Sequence, residues 1–524
     1  MRQKLFSEKT VRILTYFYLA PFALMVCFNA VNSLLRTTYF ELYRDMETAK
    51  YKWDNPVLVL AGSAVLLAVL LFLWRNDKIE IKKLDRLCIW FGGILSLIIV
   101  LLFRCEVVCD SEIVSDIAVE FMENNFSAFS RGEYLYRYPF QLGITAMLEL
   151  IYSIFGVRNF VVFQIINIIC SMIILKMLQL IARELFTDER VRRMENVISM
   201  GCLPLFLFTT FIYGDMIGWC LGICAVHSII KYLKSSGLRN AACASAFLSA
   251  GVVAKSNINI LVVAAVIAIA LKGVRDKKWN AVLIAGGVII ISQLGNTCVN
   301  QFYVERMGVE KIPGGIPKAA WIAMSLQEAD EGGYACGWYN GYNWRIYGEN
   351  DFDVQKTTQA CMESIKESLN RFAHEQKYAL TFFYKKFTSQ WNAPTFQAMI
   401  TNEWYSRHSE PLSDVAYFFI YGFGRNILYE IMNIYHFLIF LSTAAFCLLR
   451  RKKWDFAQAY FILNIFGGFL FHMIWEAQSR YVLGYFILML PLAACGVSEL
   501  FWRLSGLEKI EKAKKRSEDG AFSE

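Results

Sequence analysis

Acidic side chains collect directly after the third long apolar run of the chain, within the segment 109–116. A charged group at the edge of a bilayer is costly unless it faces protein or water, so such groups are candidates for function. Asp110 is the first of them, and Asp116 follows in the same segment. A carboxylate can accept the proton of an attacking hydroxyl group, which makes both residues candidate catalytic groups.

The acidic side chains of this segment also have a helical spacing. Glu112, Asp116 and Glu120 recur every four residues, which predicts an amphipathic helix that begins near Asp110. Two interpretations of Asp110 stay open. Its carboxylate can cap the free N–H groups of the helix start, or it can face a functional cleft.

Arg137 stands among aromatic side chains, in the stretch YLYRYP over 134–139. Arginine forms bidentate hydrogen bonds with phosphate oxygens, so Arg137, with Tyr138 beside it, is a candidate for binding an anionic lipid headgroup. The alternative is that Arg137 only extends to the headgroup level while the tyrosines anchor the chain at the interface.

Further apolar runs end in charged side chains: Asp215, Lys255, and Glu476 with Arg480. For each one alone, a helix-end charge that reaches water is a sufficient explanation. Their similar depth favours a shared cavity. Asp215 is therefore a third catalytic candidate, and Arg480 and Lys255 are candidates for holding a phosphate.

Histidines add little to this site. His472 stands one turn before Glu476, and both are candidates for contacting a sugar or an acceptor. The sequence has no HExxH or comparable metal-ligand spacing. We therefore predict no cofactor, and a requirement for a divalent metal stays an open alternative.

The composition places these residues in a membrane. Of 524 residues, 56% are hydrophobic and 41 are Phe, with a mean hydropathy of +0.38. A soluble protein of this length is less apolar, so we predict an all-α polytopic membrane protein. The net charge of +8 lies in short clusters between apolar runs, which argues against a nucleic-acid partner. The absence of a GxxxxGK[ST] motif argues against a soluble nucleotide as donor.

A membrane-spanning helix needs roughly 20 apolar residues. Twelve segments qualify: 13–35, 56–74, 87–108, 159–181, 196–213, 216–233, 240–254, 257–271, 279–298, 426–449, 456–475 and 481–502.

A thirteenth apolar stretch, 139–155, decides the orientation of every later span. If it does not cross, all the Lys and Arg clusters lie in short cytoplasmic loops, as the positive-inside rule requires. We therefore predict an interfacial helix over 139–155 on the outer face, cytoplasmic termini, and long extracytoplasmic loops over 109–158 and 299–425.

The predicted organisation has five parts: an N-terminal transmembrane hairpin with a cytoplasmic loop (1–86), a transmembrane core with the first outer loop (87–298), a large extracytoplasmic loop domain (299–425), C-terminal transmembrane helices (426–503) and a basic cytoplasmic tail (504–524). In the large loop, Trp338, Tyr339 and Asn340 offer aromatic faces and an amide suited to a sugar. Cys336 and Cys361 of this loop could pair in a disulfide.

The order of these features resembles the GT-C class of glycosyltransferases, especially the protein O-mannosyltransferase-like group (family 39-like) that includes the bacterial lipid A aminoarabinose transferases. The resemblance extends from about Leu87 to Trp502. It rests on short motifs: Asp110 followed by Ala118-Val119-Glu120, Tyr138-Pro139 before a helix ending Phe155-Gly156, and Tyr213-Gly214-Asp215. Where the aminoarabinose transferases have Lys before the proline, this chain has Tyr138, with Arg137 one place earlier.

The resemblance implies a GT-C bundle of about twelve spans in a bacterial cell membrane, with its active site outside. It implies transfer of a sugar, with inversion, from a polyprenyl-phosphate donor to a cell-envelope glycan, lipid or protein. Asp110 would be the general base, and Arg480, Arg137 and Lys255 would offset charge on the departing phosphate.

Two other functions stay open from the sequence. A transporter or flippase of lipid-linked sugars would also need charged and aromatic residues in the membrane, but the polar residues gather at one face rather than at the midplane. A scaffold for envelope assembly would explain the large outer loop, but not the acidic residues at successive helix ends.

Overall fold

The computed structural model of the chain describes residues 2–43, 46–76, 80–328, 335–407, 411–450 and 454–506. Residues 507–524, most of the predicted tail, lie outside these ranges. Within them, ten helices are long and apolar enough to cross a membrane. Numbered along the chain, they are α1 (Arg2–Leu35), α2 (Pro56–Arg75), α3 (Ile81–Phe103), α7 (Phe160–Leu185), α10 (Asp215–Ser235), α12 (Asn259–Asp276), α13 (Asn280–Met307), α20 (Phe423–Arg450), α21 (Phe456–Ile474) and α22 (Ser479–Leu504).

Shorter elements connect these helices. The other α-helices are α4 (Asp110–Met122), α5 (Tyr134–Arg137), α6 (Leu142–Phe155), α8 (Glu189–Met200), α9 (Leu203–Leu207), α11 (Leu238–Ala254), α14 (Lys318–Ser325), α15 (Tyr342–Glu349), α16 (Val354–His374), α17 (Gln376–Trp391), α18 (Ala398–Tyr405) and α19 (Asp414–Ile420). Two antiparallel strands, β1 (Arg36–Tyr43) and β2 (Met46–Trp53), form a hairpin between α1 and α2. The all-α polytopic architecture predicted from the sequence is confirmed.

Two of the twelve predicted spans differ from the long helices of the structure. The segment 240–254 is the shorter helix α11, of 17 residues. The segment 196–213 is not one helix, because it is divided between the end of α8, α9 and a 3₁₀ turn over Phe208–Thr210. Pro204 has no N–H for a continuing helix, which explains a break at this point.

The broken segment nevertheless packs along much of α7. Near the end of α7, Gln179 Nε2 donates a hydrogen bond to Asn196 Oδ1 at 2.8 Å. In its first turns, Gln164 donates one to the carbonyl of Thr210. These two contacts are 15 residues apart in α7, or about 22 Å, so the broken segment extends through most of the depth of a bilayer core.

The two ends of the bundle differ in charge. We call the end at which α10 and α22 begin the upper end, and the opposite end the lower end. Basic side chains from separate loops meet at the lower end: Lys234 with Glu184, Arg193 with the carbonyl of Asn76, Lys272 with the carbonyl of Leu233, and Arg450 with Glu499. The clusters that the sequence analysis placed on one side of the membrane therefore share one end. The predicted lower-end residues Lys78 and 451–453 lie outside the described ranges.

Helix α6 stays at the upper end. Near its start, Gln141 donates a hydrogen bond to the hydroxyl of Tyr213, which directly precedes α10. At its other end, the carbonyl of Phe155 accepts a hydrogen bond from Asn159, the N-cap of α7. Because α10 and α7 both have their first residues at this end, α6 runs along the end of the bundle rather than through it.

The β-hairpin was not foreseen within the predicted region 1–86. Its strands alternate Thr, Tyr, Phe and Lys side chains, which suits a half-buried ladder. Backbone hydrogen bonds join it to the large loop, from Thr38 N–H to the carbonyl of Asn392. Phe40 packs on Trp338 with ring centroids 4.9 Å apart. The hairpin therefore lies across the upper end of the bundle.

Candidate functional site

Asp110 is the first residue of α4, and the N-cap position before it is occupied by Cys109. The backbone of Cys109 has φ 53° and ψ −129°, a conformation that L-residues rarely adopt. Ser111 stabilises this turn, because its hydroxyl donates to the carbonyl of Val108 at 2.8 Å and bonds the hydroxyl of Tyr405 at 2.9 Å. Asp110 is thus exposed at a strained helix start rather than acting as the cap.

Tyrosines surround the Asp110 carboxylate. Burial, the charge of Asp110 and a hydrogen bond to it raise the pKa of Tyr134 well above its usual value. Burial and the same carboxylate raise the pKa of Tyr213. Burial raises the pKa values of Tyr138 and Tyr339, whose hydroxyls lie 3.5 Å apart, and Asp110 contributes to both shifts. These phenols therefore stay protonated and can donate hydrogen bonds near the carboxylate.

Asp215 and Lys255 form an ion pair beside this cluster. Lys255 Nζ lies 2.9 Å from Asp215 Oδ2, and both side chains are largely buried. The Lys255 ammonium also lies over the ring of Tyr213, 4.7 Å from its centroid, and over that of Tyr481 at 5.2 Å. Burial lowers the pKa of Lys255, and the charge of Asp215 opposes that shift.

The pair depends on a close approach of α10 and α11. Gly214 packs directly on the carbonyl of Ala254, so that a Cβ at this position would lie 1.9 Å from the oxygen. Only glycine allows this contact, which brings Lys255 over the first turn of α10.

Arg480 lies in the first turn of α22, close to the same pair. Its backbone N–H donates to Gln397 Oε1 at 2.9 Å, and its guanidinium lies over the rings of Phe211 and Tyr481. Within the described ranges, no carboxylate oxygen forms an ion pair with it, and its Nε is buried without a hydrogen-bond partner. The guanidinium can therefore bind an added anion.

Glu476 adds a second carboxylate near Asp110. It is 5% exposed, and burial raises its pKa to about 7, with the charge of Asp110 adding to the shift and Arg480 and Lys255 opposing it. Gln478 Nε2 donates to its Oε1 at 3.3 Å. At neutral pH, Glu476 therefore exchanges between a proton-holding form and a charged form.

The raised pKa of Glu476 predicts a pH-dependent stability. The folded protein binds the proton of Glu476 more tightly than the unfolded chain does. The stabilisation of the folded state by this proton is therefore complete below about pH 4.5 and is lost as the pH rises through about 7. The shift in pKa corresponds to about 3 kcal/mol in the free energy of unfolding.

We expect Glu476→Gln to unfold at a higher temperature than the wild type at pH 8, and near the wild-type temperature at pH 5. Thermal unfolding in detergent, followed by tryptophan fluorescence, measures this. Glu112→Gln, at an exposed position, is the control, and an equal effect of both variants would contradict the assignment.

Glu47, at the tip of the hairpin, is a site residue that the sequence analysis missed. Its carboxylate accepts a hydrogen bond from Gln397 Nε2, and the charge of Arg480 lies close enough to lower its pKa, although burial raises it more. The β-branched and aromatic residues over 37–43 favour a strand. No local pattern signals which distant cation the turn approaches.

Carboxylates, cations and phenols from six separate segments thus meet at the upper end: Glu47, Asp110, Tyr134, Tyr138, Tyr213, Asp215, Lys255, Tyr339, Glu476 and Arg480. No protein-family model matches the chain, and no curated protein is significantly similar to it. Within the described ranges, no three His, Cys, Asp or Glu side chains are grouped as a metal site requires. The chemistry of the site must therefore be argued from its own residues.

Several sequence candidates lie apart from this cluster. Asp116 pairs with Arg158 at 2.6 Å, and both side chains are about half exposed. Trp338 is buried, and its indole N–H donates to Ser389 Oγ at 2.9 Å, so it holds the loop against the hairpin rather than presenting a free ring face. Asn340 caps the next turn through the N–H of Tyr342.

Arg137 and His472 border the cluster on different sides. The Arg137 guanidinium lies over the Tyr138 ring, 5.5 Å from its centroid, which places it at the rim. His472 is fully buried behind Glu476, next to the backbone of that residue. Cys336 and Cys361 are both free thiols, so the disulfide considered from the sequence is not formed.

Proposed function

We propose that this chain is a membrane glycosyltransferase of the GT-C type, which moves a sugar from a polyprenyl-phosphate donor to a cell-envelope glycan, lipid or protein with inversion. The observation that carries the proposal is the site itself. An accessible carboxylate, Asp110, lies at one end of a membrane bundle near Arg480, a cation without an ion pair, and the pair Lys255–Asp215.

The proposed reaction needs one base and one group of cations. The acceptor hydroxyl attacks the anomeric carbon, its oxygen forms the new bond, and its proton passes to Asp110. The bond from that carbon to the phosphate oxygen breaks, and the electron pair leaves with polyprenyl phosphate. Arg480 and Lys255 stabilise the charge that develops on this phosphate, an interaction that is stronger in the transition state than in the ground state.

The remaining residues orient the reactants. Tyr138 and Tyr339 present hydroxyls beside Asp110 and can bind the sugar. Glu476, in its protonated form, can donate a hydrogen bond to the sugar or acceptor. Arg137 at the rim contacts the phosphate on its way to Arg480. Asp215 keeps Lys255 charged and in place.

We assign the upper end to the outside of the cell membrane. The basic side chains meet at the lower end, and cytoplasmic loops are the ones enriched in Lys and Arg. With the twelve spans predicted from the sequence, both termini are cytoplasmic. A donor that arrives from the outer leaflet then reaches the site directly.

This orientation predicts the reactivity of cysteines placed at the two ends. Exposed Cys109, Cys243 and Cys298 are first replaced by Ser. In intact cells, a membrane-impermeant thiol reagent should label Glu310→Cys, whereas Lys278→Cys should be labelled only after lysis. The reverse labelling pattern would show that the upper end faces the cytoplasm, and it would contradict a reaction on the outer face of the membrane.

Transfer itself is tested with the full-length protein in liposomes. We expect label to move from a radiolabelled polyprenyl-phosphate sugar to a cell-envelope fraction. The charged groups gather at one end rather than at the midplane, which disfavours the transporter alternative. Movement of the donor between leaflets without any transfer, across a panel of sugars, would favour a flippase and contradict the proposal.

A further inference from the structure

An apolar groove lies between α1 and α17. Its volume is about 690 Å³, and its wall is almost entirely apolar: Leu24, Met25, Phe28, Leu380, Phe383 and Phe387. Leu24 and Leu380 are 71% and 75% exposed. Such a surface needs an apolar occupant, because exposing it to water is unfavourable.

The α1 wall of the groove belongs to a candidate membrane span, Thr15–Leu35. Phe28 is seven residues before Leu35, the last residue of the α1 span, so it is about 10 Å below the end of that span. The rings of Tyr384 and Phe387 lie 6.2 and 5.6 Å from the ring of Phe28. Tyr384 and Phe387 of α17, although they belong to the large loop, therefore contact the upper part of the α1 span.

A cation stands directly above the groove. Arg36 follows Leu35, and its guanidinium lies over the rings of Tyr51, Trp53 and Tyr384, at 5.1, 5.4 and 6.0 Å from their centroids. Among the residues that the structure describes, no carboxylate forms an ion pair with Arg36, and its Nε has no hydrogen-bond partner. A charge at this level, one residue beyond the span, is placed for a lipid phosphate.

The acidic side chains at this end of the hairpin are already engaged. Asp54 accepts a hydrogen bond from Thr37, and Glu430 pairs with Lys52 at 3.1 Å. They leave the charge of Arg36 without an ion pair, and Lys385, exposed on α17, adds a second positive charge nearby.

This place is distinct from the Arg480 site. Arg36 pairs with Trp53 at the open end of the hairpin, whereas Glu47, near Arg480, pairs with Leu42 close to the turn. Six residues of strand separate the two positions, which is about 20 Å. One phosphate cannot contact both Arg36 and Arg480, so the occupant of the groove is a second lipid.

We propose that the α1–α17 groove binds one acyl chain of an anionic glycerophospholipid, whose phosphate is held by Arg36. The lipid joins α1, the hairpin and α17. Because the same hairpin carries Glu47 to Arg480, the bound lipid stabilises the arrangement of the upper end. This inference does not depend on glycosyl transfer.

The test compares phosphatidylglycerol with phosphatidylcholine on the full-length protein, by native mass spectrometry and by thermal unfolding. Both lipids carry a phosphate, but the choline ammonium of phosphatidylcholine is repelled by Arg36, so phosphatidylglycerol should be favoured by about tenfold or more. Arg36→Gln should abolish this preference, and Leu24→Trp, which fills the groove from an exposed position, should reduce the binding of both lipids. Lys52→Gln, at a cation already paired with Glu430, should change neither.

Two outcomes would overturn the proposal. One is an unchanged preference for phosphatidylglycerol in both Arg36→Gln and Leu24→Trp. The other is displacement of the bound phospholipid by stoichiometric polyprenyl phosphate, which would assign the groove to that lipid. Neither result depends on whether the protein transfers a sugar.

Discussion

Asp110→Asn should abolish sugar transfer while the protein remains folded. Asparagine has the same size and can still accept the hydrogen bond from Tyr134, but it cannot take the proton of the acceptor hydroxyl. Loss of a general base lowers the rate by about 10²–10⁴-fold. The measurement is transfer from a radiolabelled polyprenyl-phosphate sugar at saturating donor, together with donor binding, which should be nearly unchanged.

Asp116→Asn is the matched control for this variant. It carries the same change on the same helix, but at a half-exposed carboxylate paired with Arg158. We expect wild-type transfer from it. Unimpaired turnover of Asp110→Asn would contradict the assignment of Asp110 as general base. Equal losses of transfer activity in both variants would indicate a structural defect of α4 rather than the loss of a catalytic group.

Arg480→Gln should have the second large effect, through the departing phosphate. The guanidinium is the cation of the cluster that no described carboxylate pairs with, so its removal leaves the developing charge to Lys255, which is already bound to Asp215. Loss of one preorganised group of this kind costs about 10²–10³-fold in rate. Arg480→Lys should retain part of the activity, since it keeps the charge but loses the bidentate geometry. Rates and donor affinity are measured for both variants.

A second substitution separates catalysis from stability. Arg480→Gln leaves Glu47 without the nearby positive charge, and an uncompensated buried charge is destabilising. Adding Glu47→Gln should restore the melting temperature but not the transfer rate. Recovery of transfer in the double variant would show that Arg480 acts only by neutralising Glu47, and would contradict its assignment to the phosphate.

The hairpin gives the N-terminal region a role that its hydropathy did not suggest. From the sequence, 1–86 reads as two added spans of unknown purpose. In the structure, the chain between those spans crosses the upper end, packs Phe40 on Trp338 and brings Glu47 to Gln397 and Arg480. The large loop and the N-terminal region therefore form one surface around the candidate site.

The two aspartates of α4 illustrate how much can be predicted from the sequence within one helix. Asp110 and Asp116 are six residues apart in α4, which places them on different faces because each residue turns the helix by about 100°. Both qualified as catalytic candidates by type and position. Only the packing of α4 on its neighbours decides that Asp110 faces the tyrosines while Asp116 faces Arg158.

The sequence by itself determined the membrane architecture. Apolar runs of the required length specify spanning helices locally, because each helix satisfies its own backbone hydrogen bonds, and ten of the twelve predicted spans correspond to long apolar helices. The spacing of Lys and Arg determined that the basic loops share one end, since alternate passages through a bundle return to the same side.

Only the tertiary structure decided which of the charged helix ends meet. The contact of Lys255 with Asp215 depends on Gly214 admitting α11, and the approach of Glu47 to Arg480 depends on a hairpin more than 400 residues away in the chain. Such contacts follow from the shapes of packed surfaces, which no local pattern of residues encodes.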